Sequence, residues 1–174
     1  MKALLRVAAA AALVLLLAPE FRRYRGERAL RRGTDELRRA YTTSESVEKA
    51  RPALDRAAEL GVEAAAALAG DPRPRILAGS ARLVAGRSLE ALDFYRDALG
   101  TGERAEIDLN VGRAHAAAGD RPEAQSALLR TVWISPALAA AIPDPLGKRL
   151  LEETARLEND LRAGLLREPP PMPQ

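Results

Sequence analysis

From Arg22 onward the apolar positions recur at helical intervals. Leu30, Leu37 and Tyr41 lie seven and four residues apart and predict a helix over residues 22–41, interrupted at Gly33 and either separate from or continuous with the apolar run before it. Thr42 followed by Glu45 has the form of a capping box and opens a new helix. Val47, Ala50, Leu54, Ala57 and Leu60 then make one apolar stripe. Within it, Pro52 either kinks the helix or sits in the first turn of one starting near Arg51. Gly61 interrupts the stripe, and Val62 to Ala69 reads as a last helical stretch before Gly70.

Between Asp71 and Pro136 one helical-hairpin pattern is written twice. Gly79 and Gly112, Gly86 and Gly119, Ala91 and Ala124, and Tyr95 and Leu128 are each 33 residues apart. Four pairs in one register identify a repeat. Asp71-Pro72 is a helix start, and Gly86 and Gly100 end the two helices of the first copy, with Ser88 capping the second helix. In the second copy a helix from about Glu103 to Ala118 stops at Gly119, and Asp120 with Glu123 caps the next. The small residues have a mechanical reading: Gly79 and Gly112 sit where the hairpin's second helix crosses closely, Ala91 and Ala124 face that crossing, and Tyr95 and Leu128 fill the gap against the following unit.

After Pro136 comes a short Ala-rich helix ended by Pro143. Asp144-Pro145 then launches a longer one with Leu146, Leu150, Leu157, Leu161 and Leu165 on one face. This helix covers the open end of the second copy, with Trp133 beneath it, because a terminal repeat otherwise exposes its apolar face. Residues 22–70 form a hairpin that either covers the opposite end or is a degenerate first copy, since Ala50, Leu54 and Ala57 reproduce the spacing of Ala91, Tyr95 and Ala98.

Composition fixes the class. The chain is 47% hydrophobic and 29% charged, enough to fold, and its apolar residues are mostly Ala and Leu with only six aromatics. That bias predicts an all-α fold. With no cysteine there is neither a disulfide frame nor a thiolate metal site. Net charge is only +3, and beyond the N-terminal region Arg is interleaved with Glu and Asp, so no basic stripe points to nucleic acid.

Residues 1–18 resemble a secretory signal or signal anchor: Lys2 and Arg6 precede Val7 to Ala18, which has no polar side chain. Pro19 after the best cleavage position, and Leu16 two before it, favour an uncleaved anchor; a cleaved, secreted protein is the alternative. The anchor is short, about 24 Å of helix against about 30 Å of hydrocarbon. Arg22, Arg23, Arg25, Arg28, Arg31 and Arg32 follow it and are expected to meet anionic lipid headgroups. The positive-inside rule draws the body to the cytoplasm, whereas an N-terminal anchor ahead of a small domain commonly exports it, so both sides stay open.

On Gly79, Gly86, Ala91, Tyr95 and Ala98, and on Gly112, Gly119, Ala124 and Leu128 with Pro136, the stretch 71–136 resembles the tetratricopeptide repeat. The departures are Arg82 and His115 where the family has a large aromatic, Thr131 for alanine, Glu103 for the terminal proline, and a repeat one residue short. The resemblance implies a short α-solenoid, and with the segments read above the chain divides into an anchor at 1–21, a basic neck and hairpin at 22–70, repeats at 71–136, capping helices at 137–167 and a proline-rich disordered tail at 168–174. It implies a non-enzymatic adaptor whose first helices line a concave groove for a protein or peptide partner, in a role such as assembly of a bacterial-type envelope complex. By position the groove holds Ile76, Ser80, Leu83 and Val84, then Leu109, Arg113, Ala116 and Ala117, with Asn110 at its rim. Arg113 is the candidate for an acidic partner group. The rival is a structural or homo-oligomeric protein that associates through the Leu146–Leu165 face.

Candidate chemistry is sparse. His115 is the single histidine and falls at a core position of the repeat, where a buried, hydrogen-bonded imidazole is expected rather than a general base. The glycines are isolated, so no phosphate loop is formed, and no metal-ligand spacing or cofactor motif is found. An enzyme completed by a partner's residues is the remote alternative.

Overall fold

A computed structural model describes the backbone of residues 2–43 and 46–171, and the side chains from Leu16 onward except that of Thr43. The described residues form α1 (Lys2–Thr43), α2 (Val47–Ala67), α3 (Arg73–Val84), α4 (Ser88–Leu99), α5 (Ala105–Ala118), α6 (Arg121–Ile134), a 3₁₀ turn (Pro136–Ala141) and α7 (Leu146–Arg162). No strand occurs among them. Each helix packs on the next, and α1 also touches α3 while α3 touches α5. The result is an all-helical array of hairpins whose first helices, α1, α3 and α5, lie side by side.

Close helix approach explains the glycines. In α3–α4, a Cβ at Gly79 would stand 2.6 Å from the Tyr95 ring; in α5–α6, one at Gly112 would stand 2.7 Å from Leu128. Tyr95 and Leu128 therefore cover the glycine of their own hairpin, besides meeting the next unit. Tyr95 does both: it is fully buried with Ile107, Val111 and Ala114 of α5. Burying side chains of this size contributes roughly 1.5–3 kcal/mol each. Gly86 and Gly119 end α3 and α5 with φ of 78° and 86°, a conformation that side chains resist.

Gly33 and Gly61, expected to interrupt helices, lie inside unbroken ones. A Cβ at Gly33 would come 2.7 Å from Leu77 and 3.2 Å from the Ala57 carbonyl oxygen; at Gly61 it would come 2.8 Å from the Pro74 carbonyl oxygen. They are contact glycines joining α1, α2 and α3. Residues 22–70 thus hold a further hairpin, with Gly33 against Ala57 as Gly112 lies against Ala124, whose carbonyl oxygen would be 3.3 Å from the added Cβ. α2 also runs through Pro52, one turn in, where the ring leaves the Glu48 carbonyl without its usual partner.

Several caps differ from those expected. Ser46, not Thr42, caps α2, its Oγ accepting from the Lys49 backbone N–H at 3.3 Å. Thr42 instead donates back to the Arg38 carbonyl, and Glu45 lies outside the described residues. Ser88 is the first residue of α4, behind Arg87, and makes no cap bond. Asp71 does satisfy the start of α3, accepting from the Arg73 N–H at 2.9 Å.

At the C-terminal end Leu146 and Leu150 pack with Leu109, Leu128, Val132 and Ile142, so α7 covers the last hairpin. Trp133 is half-buried and outside that cluster. The tail expected to be disordered begins by docking: Pro170 is buried and its carbonyl accepts from Arg130 Nη1 at 2.7 Å, while residues 172–174 lie outside the described ones. Among the described residues no helix is long and apolar enough to cross a membrane. The side chains of residues 1–15, the greater part of the expected anchor, lie outside them.

Candidate binding clefts

The side-by-side placement of α1 and α3 leaves a cleft of about 660 Å³ between them. Its floor is apolar: Leu30 and Leu37 from α1, Ile76 and Leu77 from α3. Its rim is charged, with Arg31, Asp35 and Arg38 on α1 and Arg73 at the start of α3. The two hydroxyls within reach are already engaged. Thr34 Oγ1 donates to the Leu30 carbonyl at 2.9 Å, and Ser80 Oγ shares a hydrogen with the Tyr95 hydroxyl at 3.2 Å. Burial of that phenol, moderated by Ser80, pushes its pKa up to about 12, so Tyr95 stays neutral. Arg73 closes one end, bonding Asp71 and reaching Glu27 at 2.8 Å across to α1. Its hydrogen bonds to Asp71, more than its charge, hold the Asp71 carboxyl below the ordinary range.

A second cleft of about 330 Å³ lies between α5 and the 3₁₀ turn, lined by Leu109, Arg113 and Ala116 facing Ala141 and Pro143. The nine expected groove residues divide between these places. Ile76 and Ser80 line the α1–α3 cleft; Leu109, Arg113 and Ala116 line the second. Leu83 packs on the Tyr95 cluster, and Val84 packs with Ala40, Leu54 and Ala85. Asn110 is half-buried and Ala117 exposed, and neither lines a cleft described here. Arg113 donates to the Ala141 carbonyl at 3.0 Å, an internal partner for the guanidinium expected to meet an acidic group.

The missing wall of the larger cleft is α1. The sequence puts Leu30 and Leu37 on one helical face, and their spacing with Gly26 and Gly33 marks it as packed, but nothing in it shows that this face, with Thr34, walls a cleft. The six neck arginines are all exposed on this hairpin. Arg22 Nη2 donates to the Ala66 carbonyl at 2.6 Å, and Arg25 lies 3.9 Å from Glu63. Arg31 stands at the α1–α3 cleft, whereas Arg28 and Arg32 border a smaller depression beside Leu60.

Two titratable groups on α5 are buried. Asp108 is fully enclosed, and neither carboxyl oxygen has a hydrogen-bond partner among the described residues. Burial, reinforced by the charge of Glu103 and opposed by Arg130, pushes its pKa up to about 7. Arg130 is engaged elsewhere, gripping Glu103 at 2.6 and 2.8 Å as well as Pro170. His115 is buried as expected, with Nδ1 3.3 Å from Asp120 Oδ2, but Nε2 has no partner. Asp120 thus serves His115 rather than capping α6. Asp108 and His115 are two turns apart, about 10 Å along the axis, too far to share a proton. Among the described residues no three His, Asp or Glu side chains converge to hold a metal.

No protein-family model, curated protein or solved structure matches the chain.

Proposed function

We propose that the protein is an adaptor built of tetratricopeptide-like hairpins, held at a membrane by its N-terminal segment, that binds a segment of another protein between α1 and α3. The observation that carries this reading is the α1–α3 cleft, the largest of those described above, with four aliphatic side chains on its floor and charges only at its rim. Such a surface suits an amphipathic helix or an extended segment with spaced apolar anchors. The 33-residue register supports the kinship with the repeat family, and the uninterrupted apolar run before Pro19 supports the tether.

The test is capture from native membranes by the full chain and by Thr34→Trp. Thr34 is exposed and lines the cleft, so the indole fills it without removing a core side chain. The wild-type chain retains a polypeptide that Thr34→Trp loses; equal retention by both refutes the cleft. Deleting residues 1–20 moves the chain to the soluble fraction, and continued sedimentation with membranes refutes the tether. Self-association is the second reading, favoured by exposed Ile134, Leu151 and Leu165 near the C-terminal end. Light scattering before and after truncation at Asp144 separates it from the first.

A further inference from the structure

We propose that the end of α1 from Leu16 to Arg28, with the α2–α3 turn beside it, is a docking surface for an anionic lipid bilayer. It seats the hairpin array directly on the headgroups. This rests on the tether reading and goes beyond it, because it places a face of the folded body on the lipid.

The first ground is an apolar stripe on which none of the described residues packs. Leu17, Phe21 and Tyr24 follow at i, i+4 and i+7, and with Leu16 they are 54–74% exposed. Gly26, Ala29, Leu30 and Gly33, which pack on the body, point to the opposite side of the helix. Aromatic side chains followed by arginines are the sequence found where a helix meets a bilayer's polar layer.

The second ground is charge. Residues 16–32 carry six arginines against Glu20 and Glu27, whereas residues 33–174 hold nineteen basic and twenty-two acidic side chains. The molecule is polar end to end, and an anionic surface attracts only the α1 end. At that same end a notch of about 380 Å³ opens between the two helices, walled by Ala18, Phe21, Ala66 and Ala67 with Arg22 and Arg25 at its edge. Glu63 also borders it, so the notch offers apolar depth more than net charge.

The third ground is the absence of slack. α1 is one helix, and a Cβ at Gly26 would lie 2.8 Å from Ala67, the last residue of α2, and from Leu68, its C-cap. Tyr24 is two residues, about 3 Å of axial rise, from that level. Aromatics at headgroup depth therefore bring the α2–α3 turn into the same layer, which is about 5–7 Å thick on each side. Successive helices reverse direction, so the α3–α4 and α5–α6 turns lie at the far end.

The chain has no cysteine, which allows single labelled positions in the full-length protein. Ala69→Cys at the lipid end and Ala118→Cys at the far end are both at exposed sites. Each is labelled with an environment-sensitive fluorophore and mixed with vesicles of phosphatidylcholine, with or without phosphatidylglycerol. On phosphatidylglycerol vesicles the label at 69 is severalfold less quenched by iodide than that at 118, and a headgroup-borne quencher reverses the order. Phosphatidylcholine alone, or Arg23→Gln with Arg28→Gln, shrinks the contrast. Vesicles that carry the chain but leave both labels equally open to iodide overturn the docking surface and spare the tether. A chain that floats with neither vesicle overturns both.

Discussion

Arg82 of α3 and His115 of α5 hold the same place in hairpins 33 residues apart, yet one reaches outward and the other stays at home. Arg82 donates to Asp55 of α2 at 2.7 Å and lies 3.3 Å from Glu90, while Arg87 joins it on Asp55. His115 meets Asp120, the counterpart of Arg87, within its own hairpin. A second pair repeats the contrast. Arg75 is half-buried, with one guanidinium nitrogen unpartnered, and its counterpart Asp108 is wholly enclosed with both oxygens unpartnered. The glycines and alanines determine how a hairpin closes; the polar positions determine how it joins its neighbour. The earlier joint is ionic and partly wet; the later one is apolar, and the helix that forms it also carries a buried carboxyl.

The shared closure is broken most severely by overpacking. Ala91→Phe and Ala124→Phe insert a ring where the wild-type residues are 0% and 5% exposed. Both are expected to abolish a cooperative thermal transition, since far smaller insertions into a packed core already cost about 1–3 kcal/mol. An unchanged melting temperature in either would break the equivalence of the two hairpins.

The joints are separated by pH. Asp108 titrates near 7 in the folded protein against 3.8 for an ordinary aspartate, so folding tightens its hold on the proton. Its stabilising contribution is complete below about pH 4 and is lost as pH rises through 7, on the order of 2–4 kcal/mol across the window. Asp108→Asn is expected to gain stability at pH 8 and to flatten denaturant midpoints between pH 5 and 8. Asp55 behaves oppositely. Burial acts to raise its pKa, but bonds from Arg87 and Arg82 outweigh this and hold it low, so its contribution fades as pH falls below the carboxylate range.

A milder test compares the glycines. Gly79→Ala sets a methyl against a rigid ring at 2.6 Å, whereas Gly112→Ala meets Leu128 at 2.7 Å, a side chain that can rotate. Gly79→Ala is expected to lose about 1–3 kcal/mol by chemical denaturation and Gly112→Ala less. The smallest effect belongs to Asp55→Asn. Its pair is partly exposed, so a loss of about 1 kcal/mol or less is expected, shrinking further in high salt.

The two copies could be read from the chain because equal spacing leaves equal marks: Gly79 and Gly112 meet the side chains four residues beyond Ala91 and Ala124. The α1–α2 segment reads as a hairpin in the sequence, but not as a copy in the same register. Gly33 faces Ala57, 24 residues on, while Gly112 faces Ala124, 12 residues on, so longer helices put the same contact out of register. Caps failed for a related reason: Asp120 has the right side chain for α6 but a nearer use in His115, visible only in three dimensions. Ile76 and Ser80 are legible as groove residues from their register, but the opposite wall of their cleft depends on α1 lying against α3.

Site-specific photocrosslinking in native membranes reports whether the proposed protein partner enters the α1–α3 cleft. A photoreactive residue at Thr34 lies in the cleft; one at Leu89, 70% exposed, does not line it. A discrete crosslinked polypeptide is expected from position 34 and none from 89. Identical products from both positions, or no adduct at 34, would contradict the proposal.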